Sequence, residues 1–123
     1  ARAGAKKVIA LEAQRELVSV GQTVAMRNGF GPEVLEFVHG SAGTLEKLPD
    51  GVEQVDIIIS EWLGYFLVYE ARLPDVLRAR DRWLKPGGLL FPDRAKLYVS
   101  LIEDETYKER HFDYYSSVWG FDF

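Results

Sequence analysis

Cysteine is absent from the 123 residues, and there are only two histidines and one methionine. Without cysteine the chain forms no disulfide and no thiolate metal site, a usage that suits an intracellular protein. His39 and His111 are isolated in the sequence, and each reads as a structural or surface residue rather than a metal ligand. No stretch approaches the roughly 20 consecutive apolar residues of a membrane-spanning helix. The opening Ala1-Arg2-Ala3-Gly4-Ala5-Lys6-Lys7 lacks the shape of a signal peptide. Repeats and low-complexity segments are missing too. An excess of basic charge is also lacking: the net charge of -4 argues against nucleic acid as a direct partner and is compatible with basic substrates. What is present, 47% apolar and 28% charged residues, suits one soluble globular core or a piece of a larger protein.

The apolar residues fall into alternating patterns. Residues 8–11 are a short apolar run that stops at Glu12, as a buried parallel strand does. Residues 14–27 carry Leu17, Val20 and Val24 on one helical face, and Asn28-Gly29 is a helix stop. Residues 34–39 alternate as a second strand, and Gly40-Ser41-Ala42-Gly43 is then a loop. Residues 55–60 form the most apolar strand. Residues 71–84 read as a helix with Leu73, Val76, Leu77 and Leu84 inward and Pro74 in its first turn. Pro86-Gly87-Gly88 ends it, and Leu89-Leu90-Phe91 opens another strand. Strands alternating with helices imply a parallel sheet with helices on its faces, an α/β fold. In such sheets ligands bind beyond the carboxyl ends of the strands. Glu12, residues 41–43 and Glu61 all fall at such ends.

After Pro92 the pattern changes. Ala95, Leu97, Val99 and Leu101 alternate with polar or amphipathic neighbours, as in a half-buried antiparallel strand. Tyr107, Phe112, Tyr114, Tyr115, Trp119, Phe121 and Phe123 then crowd the end of the chain, and so many aromatics require a core to pack into. We therefore expect two units, an α/β part over residues 1–92 and the start of a β-rich domain over residues 93–123.

The strongest chemical signal is the segment Ser60-Glu61-Trp62-Leu63-Gly64-Tyr65-Phe66-Leu67-Val68-Tyr69-Glu70. Two carboxylates bracket a run of aromatics at the end of a buried strand. A guanidinium stays protonated and presents its donors in a planar fork. One carboxylate grips it with two parallel hydrogen bonds, and a second holds the remaining face and leaves one nitrogen aimed at an electrophile. Trp62, Tyr65, Phe66 and Tyr69 offer rings to stack on such a cation. Three readings compete with this clamp: a surface loop whose acids cap helices, a glycosidase carboxylate pair, and a divalent metal site with Asp56 or Asp75 as further ligands. Glu12, at its strand end, suits two hydrogen bonds from ribose hydroxyls, as in nucleotide folds; the plainer reading is a solvent-facing acid. A dinucleotide turn is absent, since Gly29-Phe30-Gly31-Pro32 lies between a helix and a strand, and this argues against a dehydrogenase. Asp93 and Arg94 read as a turn with a local ion pair.

The double-acid loop resembles that of the protein arginine N-methyltransferases. Its flanks are similar as well: Lys7 to Glu12, residues 55–60, the run from Trp83 through Pro86-Gly87-Gly88 to Asp93, Tyr98 to Glu103, and Gly120-Phe121-Asp122. The resemblance implies a Rossmann-like S-adenosylmethionine-dependent methyltransferase sheet followed by a β-barrel. It implies Glu61 and Glu70 as catalytic residues, Glu12 as ribose ligand, the backbone around Ala42 and Gly43 at the adenine edge, and Trp62, Leu63 and Tyr65 shaping the substrate pocket. No metal is implied. It further implies S-adenosylmethionine as cofactor and S-adenosylhomocysteine as product, mono- and asymmetric dimethylarginine, and arginine/glycine-rich substrates such as RNA-binding proteins and histones. A cytoplasmic and nuclear location, no membrane or direct nucleic-acid partner, and a homodimer or higher oligomer of the full-length protein complete the expectation. Leu63 takes a place where methionine is common, and Gly43 stands where a glutamate often meets the adenine amino group. The glycine-rich cofactor turn and most of the barrel lie outside this sequence, so the segment alone is expected to be inactive. A catalytically silent relative acting as a scaffold or regulatory subunit is the alternative.

Overall fold

The structure, a computed structural model, describes residues 1–122; Phe123, one of the terminal aromatics, lies outside them. Strand β1 (Val8–Glu12) is followed by helix α1 (Arg15–Arg27) and strand β2 (Leu35–His39). Strand β3 (Val55–Ile59), helix α2 (Leu73–Trp83) and strand β4 (Leu84–Phe91) follow, and then helix α3 (Glu105–His111). Short 3-10 turns cover Pro49–Gly51 and Asp113–Ser117.

Among the described residues the named strands pair in parallel, as the strand–helix alternation requires, but they form two ladders rather than one. β1 pairs with β2 in unbroken register from Val8 opposite Leu35 to Glu12 opposite His39. β3 pairs with β4 with a slip: Val55 faces Leu84 and Ile57 faces Leu89, so β4 bulges through Lys85-Pro86-Gly87-Gly88. Lys85 spans the bulge to Asp56, Nζ to Oδ1 at 2.6 Å, and this pairing holds the Asp56 carboxyl below its ordinary range.

One apolar cluster joins the ladders. Ala42, Leu48, Ala79 and Trp83 are buried, and Ile9 and Leu11 of β1 pack against them alongside Val55 and Ile58 of β3. Thus α2 covers one face of the second ladder. The opposite face stays open: Ile57 is 50% and Ile59 80% exposed, so the run that reads as a wholly buried strand is covered on one side only. A similar correction applies to α1. Its buried residues are Val18 and Ala25, whereas Leu17, Val20 and Val24 are exposed. The physical reason is close approach. Between Val18 and Ala25 lies Gly21, where a Cβ would run into the Phe37 ring of β2. The small residues set the helix against the sheet, and the larger ones are left outside. Of the residues predicted inward on the helix over 71–84, Leu73, Val76 and Leu77 are half-buried on α2 and Leu84, also half-buried, opens β4 instead, while Ala79 and Trp83 are the buried residues of α2.

A charged link pins the start of β1. The Lys7 ammonium lies 2.7 Å from Glu36 Oε2 of β2 and 2.7 Å from Asp50 Oδ2 in the 3-10 turn. Glu36 Oε2 is buried, and its contact with Lys7 is an ion pair rather than an aligned hydrogen bond. The hydrogen bond with Asp50, then the contact with Glu36, raises Lys7 above its ordinary value, and the same bond lowers Asp50.

Beyond Pro92 the structure departs from the sequence expectation of a half-buried strand. Residues 93–104 pair with no strand among the described residues and are exposed throughout. Helix α3, which hydropathy did not reveal, is started by Asp104, whose Oδ1 accepts from the Tyr107 N–H at 2.9 Å. Asp93 and Arg94 form the expected local pair at 3.1 Å.

Candidate active site

The carboxyl ends of β1 and β2 bring Glu12 beside the 41–43 loop. Glu12 faces His39 in register, and the Gly40 N–H donates to the Glu12 carbonyl at 2.9 Å. Glu12 Oε1 accepts from the Gln14 N–H at 2.7 Å. That bond orients the carboxylate, and among the described residues Oε2 has no protein donor. The loop is tied locally: Ser41 Oγ accepts from the Gly43 N–H at 3.2 Å, and the Ser41 N–H donates to Thr44 Oγ1 at 3.2 Å. Ala42 belongs to the core, and its carbonyl accepts from Arg82 Nη1 at 3.4 Å. Gly43 lies against α2, where a Cβ would stand 2.9 Å from Asp75 Oδ1. Asp75 in turn pairs with Arg78 at 3.0 Å. A side chain at position 43 would displace that pair, so this loop meets any ligand through its backbone. A free carboxylate oxygen next to a backbone edge, at the carboxyl end of parallel strands, fits the ribose and adenine of a nucleoside cofactor.

The double-acid loop leaves from β3. Ser60 extends the β3–β4 pairing, donating its N–H to the Phe91 carbonyl at 2.8 Å, so Glu61 departs from a fixed point. The loop then folds on itself through short-range hydrogen bonds, among them Leu67 N–H to Gly64 O at 3.0 Å and Tyr69 N–H to Tyr65 O at 3.2 Å. Phe66, Leu67 and Ala71 hold positive φ of 49°, 62° and 52°. Such left-handed backbone costs about 1 kcal/mol or more per non-glycine residue and concentrates at functional loops. Gly64 makes room for the second acid: a Cβ there would lie 2.6 Å from Glu70 Cδ.

The result is that Glu61 and Glu70, nine residues apart, reach one cation. That cation is Arg72, which neither periodicity nor motif had marked. Its Nη2 lies 2.7 Å from Glu70 Oε2 and its Nη1 3.5 Å from Glu61 Oε2. The signal in the sequence was modest: an arginine two residues after Glu70, at a helix start. The three side chains differ in exposure, 74% for Glu61, 55% for Arg72 and 29% for Glu70. Trp62 is buried, Leu63 is exposed and Tyr65 is almost wholly so. The other acids considered for a metal are engaged elsewhere, Asp56 with Lys85 and Asp75 with Arg78. His39 Nε2 lies 3.1 Å from the Ala13 carbonyl, and His111 stacks on Tyr107.

Comparison with known proteins places the chain in a family. A family described as methyltransferase domain matches residues 1–91. The chain is 48% identical over 121 residues to protein arginine N-methyltransferase 1 of Caenorhabditis elegans, covering 98% of this chain and 34% of that protein. It is 46% identical over 122 residues to protein arginine N-methyltransferase 8-B of Danio rerio, covering 99% of this chain and 28% of that one. The chain thus spans about a third of the length of the curated relatives it matches. Among solved structures, the Trypanosoma brucei PRMT1 enzyme–prozyme heterotetrameric complex with AdoHcy superposes with a TM-score of 0.84 at 38% identity, over 99% of this chain and 37% of that chain. Protein arginine methyltransferase 10 of Arabidopsis thaliana superposes with a TM-score of 0.65 at 41% identity, over 73% of this chain and 24% of that one. Parallel α/β ladders, a family match over three-quarters of the length and a close structural likeness settle the placement: the chain belongs to the methyltransferase domain family, where it is similar to the protein arginine N-methyltransferases.

Proposed function

We propose that this chain carries the cofactor- and arginine-binding core of an S-adenosylmethionine-dependent protein arginine N-methyltransferase. The observation that carries the reading is that Glu61 and Glu70 meet on a single guanidinium, that of Arg72. Arg72 lies where a substrate guanidinium would, and its contact with both acids supports reading the loop as a seat for a planar cation. Similarity to arginine methyltransferases over nearly the whole chain points the same way.

Glu12 would hold the ribose hydroxyls through its free oxygen, and the backbone of Ala42 and Gly43 would border the adenine. When bound, the cofactor supplies an electrophilic methyl on a sulfonium sulfur and leaves as S-adenosylhomocysteine. Glu70, the less exposed acid, grips two guanidinium nitrogens and fixes the plane of the group. Glu61 draws positive charge toward its own side and stands ready to take the proton that the methylated nitrogen sheds. The third nitrogen is thereby held in line for transfer, and most of the acceleration comes from this positioning and from the fixed negative charge. Trp62, Leu63 and Tyr65 would border the arginine stem. Residues 93–123 would belong to a β-rich substrate domain in this reading, and the exposed aromatics among residues 93–122 would supply its apolar face. The substrates would be arginine/glycine-rich proteins, with RNA-binding proteins and histones as examples, modified in cytoplasm and nucleus to mono- and asymmetric dimethylarginine by an oligomeric enzyme.

The test is made in the full-length protein. Glu61→Gln and Glu70→Gln keep shape and remove charge, and each is expected to lower methyl transfer to an arginine-glycine peptide by about a hundredfold or more, the scale of a lost electrostatic contact in an active site. Thermal stabilisation by S-adenosylhomocysteine is expected to persist in both. Wild-type turnover in either variant would overturn the reading.

A further inference from the structure

The guanidinium between the two acids belongs to the chain itself, and this has a consequence for binding. Arg72 opens α2: its carbonyl accepts from the N–H groups of Asp75 and Val76 at 3.1 and 3.4 Å, so its backbone is fixed by the helix. From there its two terminal nitrogens reach different carboxylates, Glu70 at 2.7 Å and Glu61 at 3.5 Å. Among the described residues no other basic side chain pairs with either acid.

We propose that Arg72 is an internal competitor of the substrate arginine, a positioning residue that keeps Glu61 and Glu70 together until an incoming guanidinium displaces it. The proposal rests on the reading of Glu61 and Glu70 as a guanidinium clamp and adds a determinant of its affinity. Two carboxylates crowded without a cation repel each other, and Arg72 relieves that repulsion in the empty site. Because it is tethered, it acts at a high effective concentration. Because it is more than half exposed, its hold is weak enough to break. A latch at the upper end of the scale for exposed pairs leaves the clamp open about a sixth of the time, so its removal tightens apparent binding about sixfold. A guanidinium can replace Arg72 on both acids at once, whereas a lysine ammonium is a point charge that cannot match the fork. Displacement therefore favours arginine over lysine as a substrate.

The experiment measures binding of a fluorescent arginine-glycine peptide to the full-length protein, saturated with S-adenosylhomocysteine, by anisotropy. Arg72→Leu is expected to bind about sixfold more tightly than wild type, and in turnover to lower KM rather than raise kcat. Arg72→Lys, which keeps the charge but not the fork, is expected to fall between the two. Retained stabilisation by S-adenosylhomocysteine certifies the fold; if Arg72→Leu loses it, Arg72→Gln takes its place. Unchanged or weaker peptide binding in the neutral variant, while Glu61→Gln and Glu70→Gln weaken it, overturns the role of Arg72 and leaves the clamp standing. Peptide binding that is indifferent to both glutamates removes the clamp and this inference with it.

Discussion

Residues 1–92 and residues 93–122 have similar access to apolar side chains, but only the first set buries them. Trp83 is 6% exposed and sits in the cluster that joins the two ladders, whereas Trp119 is 94% exposed and Leu101 fully so. The whole chain exposes 10216 Å², against about 6,700 Å² for a compact monomer of its mass. Exposed apolar side chains contribute to that excess on the open face of the second ladder, in the double-acid loop, on α1 and after Pro92. The contrast teaches that aromatic content alone gives no core. In the first region, period and sequence order bring α2 back onto parallel strands, so burial follows from local structure. In the second, the local structure that forms, a helix of seven residues and a 3-10 turn, offers no large surface to pack against.

The sharpest way to break this comparison is to truncate one tryptophan from each region. Trp83→Ala is expected to cost about 3–5 kcal/mol, the range for a buried aromatic. Trp119→Ala is expected to cost less than about 0.5 kcal/mol, as for an unpacked surface residue. Urea midpoints of the two variants measure the difference, and a cost at Trp119 close to that at Trp83 would mean that a surface beyond the described residues covers it. A smaller effect is expected inside the packed region. Gly21→Ala places a methyl group against the Phe37 ring, where overpacking costs about 1–3 kcal/mol, while the gain in helix propensity returns about 1 kcal/mol. A net loss is expected, with recovery in the double variant Gly21→Ala/Phe37→Leu. A Gly21→Ala protein more stable than wild type would show that the ring yields freely.

Much of this architecture was legible in the residues. Residues 8–12, 15–27, 35–39, 55–59 and 73–83 lie within a residue or two of the elements that hydrophobic period and Pro or Gly punctuation mark out. The faces were less legible. On α1 the large residues Leu17, Val20 and Val24 dominate the pattern, yet contact with β2 is decided by the smallness of Gly21 and Ala25, which hydrophobicity does not record. The site divides in the same way. Glu61 and Glu70 could be paired from their spacing and chemistry, and Glu12 from its place at a strand end. Arg72 could not, because its meeting with both acids depends on the left-handed backbone at Phe66, Leu67 and Ala71, and none of those residue types announces that conformation. The Lys7 link to Glu36 and Asp50 was equally silent, since it joins residues far apart in sequence.

Acid titration gives the smallest effect and separates the two regions by a different means. Asp50, Asp56 and Asp93 all have their carboxyls held below the ordinary value, each chiefly by a hydrogen bond from a basic side chain: Lys7, Lys85 and Arg94 respectively. A carboxyl depressed in the folded state contributes stability above its unfolded pKa, and that contribution is lost as pH falls through the folded value. The linkage depends on the difference between folded and unfolded states. Lys7 and Asp50 are brought together only by folding, as are Asp56 and Lys85, so their pairs vanish on unfolding. Asp93 and Arg94 are neighbours in sequence and attract each other in either state. Stability followed by urea midpoint is therefore expected to fall from pH 5 toward and below the ordinary carboxylate pKa of about 4. Asp50→Asn and Asp56→Asn are each expected to flatten that fall slightly, and Asp93→Asn to leave its slope unchanged. A flatter slope in Asp93→Asn would show that this carboxylate gains a partner through tertiary folding, and the segment after Pro92 would then have to be packed rather than free.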